Sequence, residues 1–451
     1  MQPRLPIAAP AVAALSFALA TAALAQPAPL PFAPDLVVAA DGSGNFTTIQ
    51  AAVASIPRDN RERRVILVKD GTYREKVRVD ASYVTLRGQS RTGTRVEFAQ
   101  GMDDYRRGGG DKLGQAVLNL NGDDFVLENL TVENTHGVIG THAFAIYGRG
   151  DRTVIQDCDV FSQGNDTLSL WRTGNGRYSE DAPGHSSPNG RYYHARLKVR
   201  GSVDFVCPRG WCYLVDSELY EVNPKAEAAM WHDGSRDPDM KFVLNRCRFD
   251  GVENWGFARW HHDAHFYFVD CTFSRTMRDR APFRVIYPIN GGPVTDADRK
   301  RNAELEATNR WGNRAYFFNS HRDGRDYPWH RDNLAAAPGA PRPAQITAKW
   351  TFGGKWDPED PSGPAVRKIV AVDREITVTF GENVTVKGRP RLRLQDGTLA
   401  AYAQGSGTPA LTFRRVSTGP GPAPAGFDFA DGVILASEAS ARLRLAGANL
   451  P

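Results

Sequence analysis

Three short segments carry side chains suited to acid–base or nucleophilic chemistry: "SQGNDTLSL" (162–170), "RGSVDFV" (200–206) and "WGFARWHH" (255–262). Asp204 stands between Val203 and Phe205 in a stretch that reads as buried strand, where an unpaired carboxylate is expensive to desolvate. Such a group takes up a proton, finds a cation or has a task. Asp166 poses the same question 38 residues earlier, and Arg259 is the candidate cation. Stacked strands about 4.8 Å apart would make the two carboxyls neighbours. They could not both ionise cheaply unless a cation stood beside one of them. Carboxyls pushed apart in pKa divide between them the work of an ionised nucleophile or base and of a protonated acid. The competing reading is structural: an Asp–Arg pair that ties adjacent strands together, with Asp166 accepting bonds in a turn.

The elements that would position these residues come from an internal repeat. An eight-residue pattern returns as "FVLENLTV" (125–132), "TVIQDCDV" (153–160), "YYHARLKV" (192–199), "CYLVDSEL" (212–219), "FVLNRCRF" (242–249) and "FYFVDCTF" (266–273). Its sixth position holds Leu130, Cys158, Leu197, Ser217, Cys247 and Cys271, small or apolar side chains at one phase. The starts are 28, 39, 20, 30 and 24 residues apart, with turn residues and no helical pattern between them. Periods in this range predict a solenoid of short strands, a parallel β-helix, in which those cysteines form an internal stack. The longest interval contains "RTGNGRYSEDAPGHSSPNG" (172–190), a loop inserted between coils beside a cleft. Upstream, "TTIQAAVASIP" (47–57) predicts a short helix closing the open end of the solenoid.

The ends of the chain differ in character. Residues 1–25 have an Arg near the start, an apolar run and Ala23-Leu24-Ala25, the pattern of a secretory signal, which predicts a secreted or periplasmic protein. Five cysteines among 451 residues are too few for a disulfide scaffold; Cys207 and Cys212 are either a small bridged loop or two thiols. After a Pro/Asp/Gly linker at 354–366, residues 367–451 alternate apolar and polar residues as strands do, and predict a small β-sandwich that resembles bacterial Ig-like modules. Lys and Arg exceed Asp and Glu by five. That mild surplus suits an acidic polysaccharide, and without a dense basic tract it does not suggest nucleic acid. No later segment is apolar enough to span a bilayer.

From about residue 36 to 335 the ordered motifs resemble the pectinesterases, or pectin methylesterases. "VVAADGSGNFTTIQAAVASIP", "DGTYREKV" (70–77), "ENLTVENTHG", "NDTLSL", "GSVDFV" and "FARW" each match a family segment in family order. The resemblance implies an all-β fold, a right-handed parallel β-helix over 34–353, and hydrolysis of galacturonate methyl esters in pectin without a metal; no cofactor is expected, and the protein is expected to be a monomer. It implies Asp204 as nucleophile, Asp166 as acid and then base, and Arg259 as the cation holding Asp204 ionised. Trp260 is expected in the sugar cleft, with Phe205 and Trp231 as further sugar contacts; Trp171 reads as core. The chemistry is coherent in itself: a carboxylate attacks the ester carbonyl to give an acyl anhydride, and methanol leaves only if a protonated acid donates to it.

Two departures concern the donors to the oxyanion. "QAVL" (115–118) imitates the family's first glutamine motif but precedes "ENLTVENTHG", so the in-order counterpart is "HAFAI" (142–146), with His142 at the donor position. Asn165 stands in place of the second glutamine. Both side chains can donate hydrogen bonds. The altered donors leave the ester open, so a different polysaccharide or acyl ester is the alternative substrate. Other β-helix functions are the rivals: a calcium-dependent lyase, a glycoside hydrolase with carboxyls roughly 6.5–9.5 Å apart, or a lapsed carbohydrate-binding solenoid.

Overall fold

The computed structural model describes residues 34–60, 63–172, 190–289, 291–359, 366–416, 421–422, 424–428 and 432–436. The signal segment and nearly all of the 172–190 insertion lie outside them. The described residues between 36 and 322 form a parallel β-helix whose coils contribute strands to three faces, two of them continuous through the long strand Val206–Val215. The register follows the repeat: Val126, Val154, Tyr193, Tyr213, Val243 and Tyr267 pair in succession along one face. The sixth-position residues from Leu130 to Cys271 are all buried. All five cysteines are free and buried, which resolves Cys207 and Cys212 as two thiols.

Between the first and second strand of each repeat the chain turns through one residue in the left-handed region: Asn129, Asp157, Arg196, Asp216, Arg246 and Asp270, with φ of 51–58°. Asn and Asp tolerate that conformation and Arg does so at a cost. The compensation comes from stacking. Arg196 donates to both oxygens of Asp157 (2.6 and 2.7 Å) and Arg246 to both of Asp216 (2.7 and 2.9 Å), so acid and base alternate down the outside of the solenoid.

The predicted end cap is the helix Ile49–Ala54, started by Thr48, whose hydroxyl accepts from the Ala51 amide. Glu75, from "DGTYREKV", accepts from the free amides of Ile49 and Gln50 (2.8 and 2.9 Å), while Ile49, Ala52 and Val53 close the apolar interior. At the other end the interior fills with aromatic rings: Phe257 lies 4.7 Å from Phe268 and 4.8 Å from Phe273, which stacks on Phe249 at 4.9 Å. Residues 334–356 then fold back over one face, burying Leu334, Ile346, Phe352 and Trp356 against Tyr193, Tyr213 and Tyr267. Glu359 accepts from the Tyr193 hydroxyl, so body packing runs a few residues into the stretch read as linker. Beyond it, an antiparallel sheet encloses a core of Ile376, Val378, Leu392, Leu411 and Phe413. Among the described residues, no helix is long and apolar enough to cross a membrane.

Phe257→Ala removes a ring enclosed on several sides and should cost about 3–5 kcal/mol of stability. Chemical denaturation of the variant checks this; an unchanged midpoint would show that the ring stack does not hold the far coils.

Candidate active site

The face carrying strands Leu168–Trp171, Val206–Val215, Met230–Trp231 and Ala258–Trp260 places the site. In register, Leu168 pairs with Val206, Val206 with Met230, and Met230 with Ala258, all four buried in the core. Two residues ahead of the first two strands stand Asp166 and Asp204, with φ of +58° and +55°. Each backbone is fastened to the next coil: the Asp166 amide donates to Val203 O (3.1 Å) and the Asp204 amide to Ala228 O (2.8 Å). Thus two aspartates distant in sequence occupy one position on adjacent coils.

Arg259 binds Asp204 through two parallel bonds, Nε to Oδ1 at 3.0 Å and Nη2 to Oδ2 at 2.8 Å. Its remaining Nη1 donates to Glu227 Oε2 at 2.6 Å. Glu227 lies three residues before Met230 and was not anticipated; a second acid able to saturate the guanidinium was the signal to seek. Burial raises the pKa of Asp204, opposed by Arg259. Asp166 is driven much further up, first by burial and then by the charge of Asp204. Arg259 is the cation expected beside Asp204, and its charge and hydrogen bonds oppose the effect of burial without cancelling it. The order of the two is nevertheless the useful one, since Asp204 loses its proton before Asp166.

Trp260 and Phe205 do not line a cleft. Each is 1% exposed and packs in the solenoid core. The reason is the period of two: Arg259 points out of the strand, so its neighbour Trp260 must point in, and Phe205 turns inward beside outward-facing Asp204. The outward phase instead holds Trp171, which pairs in register with Arg209, and Trp231, which pairs with Arg259. Trp231 borders a pocket of about 610 Å3, and its indole N–H donates to His261 Nδ1 at 2.6 Å. Trp171 is part-exposed and meets Phe144 and Tyr147 edge-on, so it is not the core residue expected. Following the alternation outward from Arg259 would have selected these rings.

His142 and Asn165 are joined by an isolated parallel bridge. The His142 side chain is 54% exposed, with Nε2 3.5 Å from Asp166 Oδ2, longer than a hydrogen bond. Partial burial, then the charge of Arg106, lowers its pKa below the ordinary 6.5 even with Asp103 opposing, so it is neutral at neutral pH. Asn165 donates from Nδ2 to Gly140 O at 2.9 Å and leaves Oδ1 buried without a protein partner. A donor role for Asn165 therefore rests on its second N–H alone.

The pectinesterase family model matches residues 35–277. A pectinesterase/pectinesterase inhibitor from Arabidopsis thaliana is 28% identical over 226 residues, 49% of this chain and 34% of that protein. A pectinesterase from Daucus carota is 28% identical over 227 residues, 49% of this chain and 64% of that one. The match thus spans only about a third of the length of the Arabidopsis relative. Among solved structures, the carrot pectin methylesterase superposes with a TM-score of 0.52 at 20% identity, covering 72% of this chain and 95% of that one. The enzyme from Erwinia chrysanthemi gives 0.53 at 19%, covering 73% and 100%. These two structures share the β-helix. With more than half of the sequence matched by its model and the Asp–Asp–Arg motifs in order, the chain belongs to the pectinesterase family.

Proposed function

We propose that the protein is a secreted carboxylic-ester hydrolase that demethylates galacturonate methyl esters of pectin. The observation that carries this reading is the buried Arg259–Asp204 pair with a more weakly acidic Asp166 on the adjoining coil. Asp204, ionised and aligned by the guanidinium fork, attacks the ester carbonyl carbon. The tetrahedral intermediate collapses to an acyl anhydride as Asp166 gives its proton to the departing methoxy oxygen, releasing methanol. Asp166, now a carboxylate, takes a proton from water as that water attacks the anhydride. The products are free galacturonate and regenerated Asp204. Glu227 is a positioning residue that holds the far nitrogen of Arg259. His142, neutral, donates to the oxyanion, with Asn165 beside it. A pectin methylesterase solved in complex with a hexasaccharide, at 19% identity and a TM-score of 0.55, supports the fold on which this reading is built. The N-terminal apolar segment supports a location outside the cytoplasm.

Methanol release from methyl-esterified polygalacturonate is the direct test. Asp204→Ala should abolish it while retaining the fold, because Arg259 keeps Glu227 as partner; turnover in a correctly folded variant would refute the nucleophile. The negative charge of Glu227 helps to raise the pKa of Asp204. Attack requires ionised Asp204, so activity falls as pH drops through that pKa. Glu227→Gln should therefore move the acidic limb of kcat/KM to lower pH and reduce kcat about tenfold through looser positioning of Arg259. A limb that stays in place would mean Glu227 is only scaffolding. His142→Gln removes the imidazolium that forms below its lowered pKa and restores the family's donor type. Turnover should persist with the acidic limb displaced downward, and an unmoved limb would make His142 a wall of the cleft.

A further inference from the structure

Arg278 is a second guanidinium close to the Arg259–Asp204 pair, and the ester chemistry leaves it unused. It stands one residue beyond the stretch matched by the family model. Its backbone is fixed to the preceding coil: Trp255 and Met277 form a parallel bridge, and the Arg278 amide donates to Trp255 O at 3.0 Å. From there the side chain reaches back past Gly256 to the coil before that, where Nη2 donates to the carbonyl oxygens of both Ala226 and Glu227. The passage exists because residue 256 has no side chain. A Cβ there would fall 2.1 Å from Glu227 O and 2.2 Å from Arg278 Nη2, closer than van der Waals contact allows.

The gripped segment makes two separate connections to the reacting acid. Ala228 O accepts from the Asp204 amide at 2.8 Å, and Glu227 Oε2 accepts from Arg259 Nη1 at 2.6 Å. Residues 222–229 belong to no strand or helix, so the ladder that fixes the neighbouring coils does not fix this stretch. Bonds from a charged donor are about twice as strong as neutral ones, and here they fall on the very residue whose acid saturates Arg259.

We propose that Arg278 is a positioning residue for ester hydrolysis: by holding the carbonyls of Ala226 and Glu227 it keeps the Glu227 carboxylate on the far nitrogen of Arg259, and through it the fork that aligns Asp204. This rests on the esterase reading and extends it to a residue two coils beyond Glu227. The ionisable groups facing Asp204 are Arg259, Glu227, Asp166, Glu221, Cys207 and Tyr287. Burial drives Asp166, Glu221, Cys207 and Tyr287 above their ordinary values. The charges around Arg278 itself are Arg280, Glu227, Glu221 and Arg259. Glu227 adds its negative charge to the burial that raises Asp204. A Glu227 released from Arg259 therefore lets the pKa of Asp204 fall, and Asp204 ionises at lower pH.

Arg278→Met tests the proposal by kinetics and by titration. In methanol release from methyl-esterified polygalacturonate, kcat should fall about tenfold with KM within about twofold. The acidic limb of kcat/KM should move to lower pH, as in Glu227→Gln. Adding Arg278→Met to Glu227→Gln should slow the enzyme and shift the limb no further, because the one residue acts through the other. Arg278→Lys, which keeps the charge but not the fork, should regain part of kcat. Carbon-13 NMR of labelled aspartate carboxyls, with Asp204 assigned by its loss in Asp204→Asn, reads the same downward shift without substrate. An unmoved Asp204 titration in Arg278→Met, or losses that add in the double variant, overturns the proposal and makes Arg278 a brace of the fold. Should Arg278→Met fail to fold, Arg278→Lys decides by the same measurements: full kcat with an unmoved limb and resonance overturns it. The two readings fail separately. Absence of methanol release from the unaltered protein removes the esterase, whereas release with an Asp204 titration indifferent to Arg278 removes only the positioning role.

Discussion

Everything in the solenoid depends on the parallel ladder that stacks each coil on the last in fixed register. A parallel pair aligns a residue with its equivalent one coil away, so a chemical type repeated in sequence becomes a column in space. The column inside is Leu130, Cys158, Leu197, Ser217, Cys247 and Cys271, and it fills the corner of the core without bulk. The column outside alternates aspartate and arginine through the left-handed turn. A one-residue slip would turn every core side chain to solvent, so repeats 20 and 39 residues apart must present their strands in the same phase, as Tyr193 and Tyr213 do.

The same pairing of acid and guanidinium does different work at different depths. Arg196–Asp157 is about 40% exposed on both partners and at such exposure is worth roughly 0–1 kcal/mol, enough to orient a strained turn. Arg259–Asp204 is 10% exposed on each partner. There the desolvation of the ions nearly cancels their attraction, so the pair contributes little net stability, and breaking it would strand a charge. What burial provides is a difference in acidity between two neighbouring carboxyls. Asp204 has a cation against it and Asp166 does not, and the wall of apolar side chains beneath them magnifies that asymmetry.

Alternation along the strand then sorts the aromatics. Trp231 and Arg259 share the outward phase with Trp171 and Arg209, whereas Trp260 and Phe205 belong to the interior. The cleft is consequently built of flat rings and guanidinium groups, a surface suited to planar contacts with sugars and to forked bonds with carboxylates. The helix Asp296–Thr308, with Thr295 and Asp298 in a reciprocal cap, adds cations from a distant part of the chain to the same wall.

The sequence by itself determined the solenoid, its repeat phase, the helical end cap and the trio Asp166, Asp204 and Arg259, because period and residue type are properties of the chain that stacking only multiplies. Asp166 and Asp204 were legible as neighbours for the same reason that Cys247 and Cys271 were: each pair recurs at one phase. Adjacency along the chain misled for Trp260 and Phe205, since strand neighbours face opposite ways, and the alternation that corrects this was present in the letters. Only the tertiary structure decided the rest. Glu227 reaches Arg259 from the intervening coil, Asn165 commits an N–H to Gly140, and Arg209 has Nε and Nη1 without a hydrogen-bond partner while its guanidinium meets two ring faces. Those outcomes depend on how deeply a group is buried and on what lies beside it across coils, and burial and proximity of that kind arise only when the whole ladder has closed.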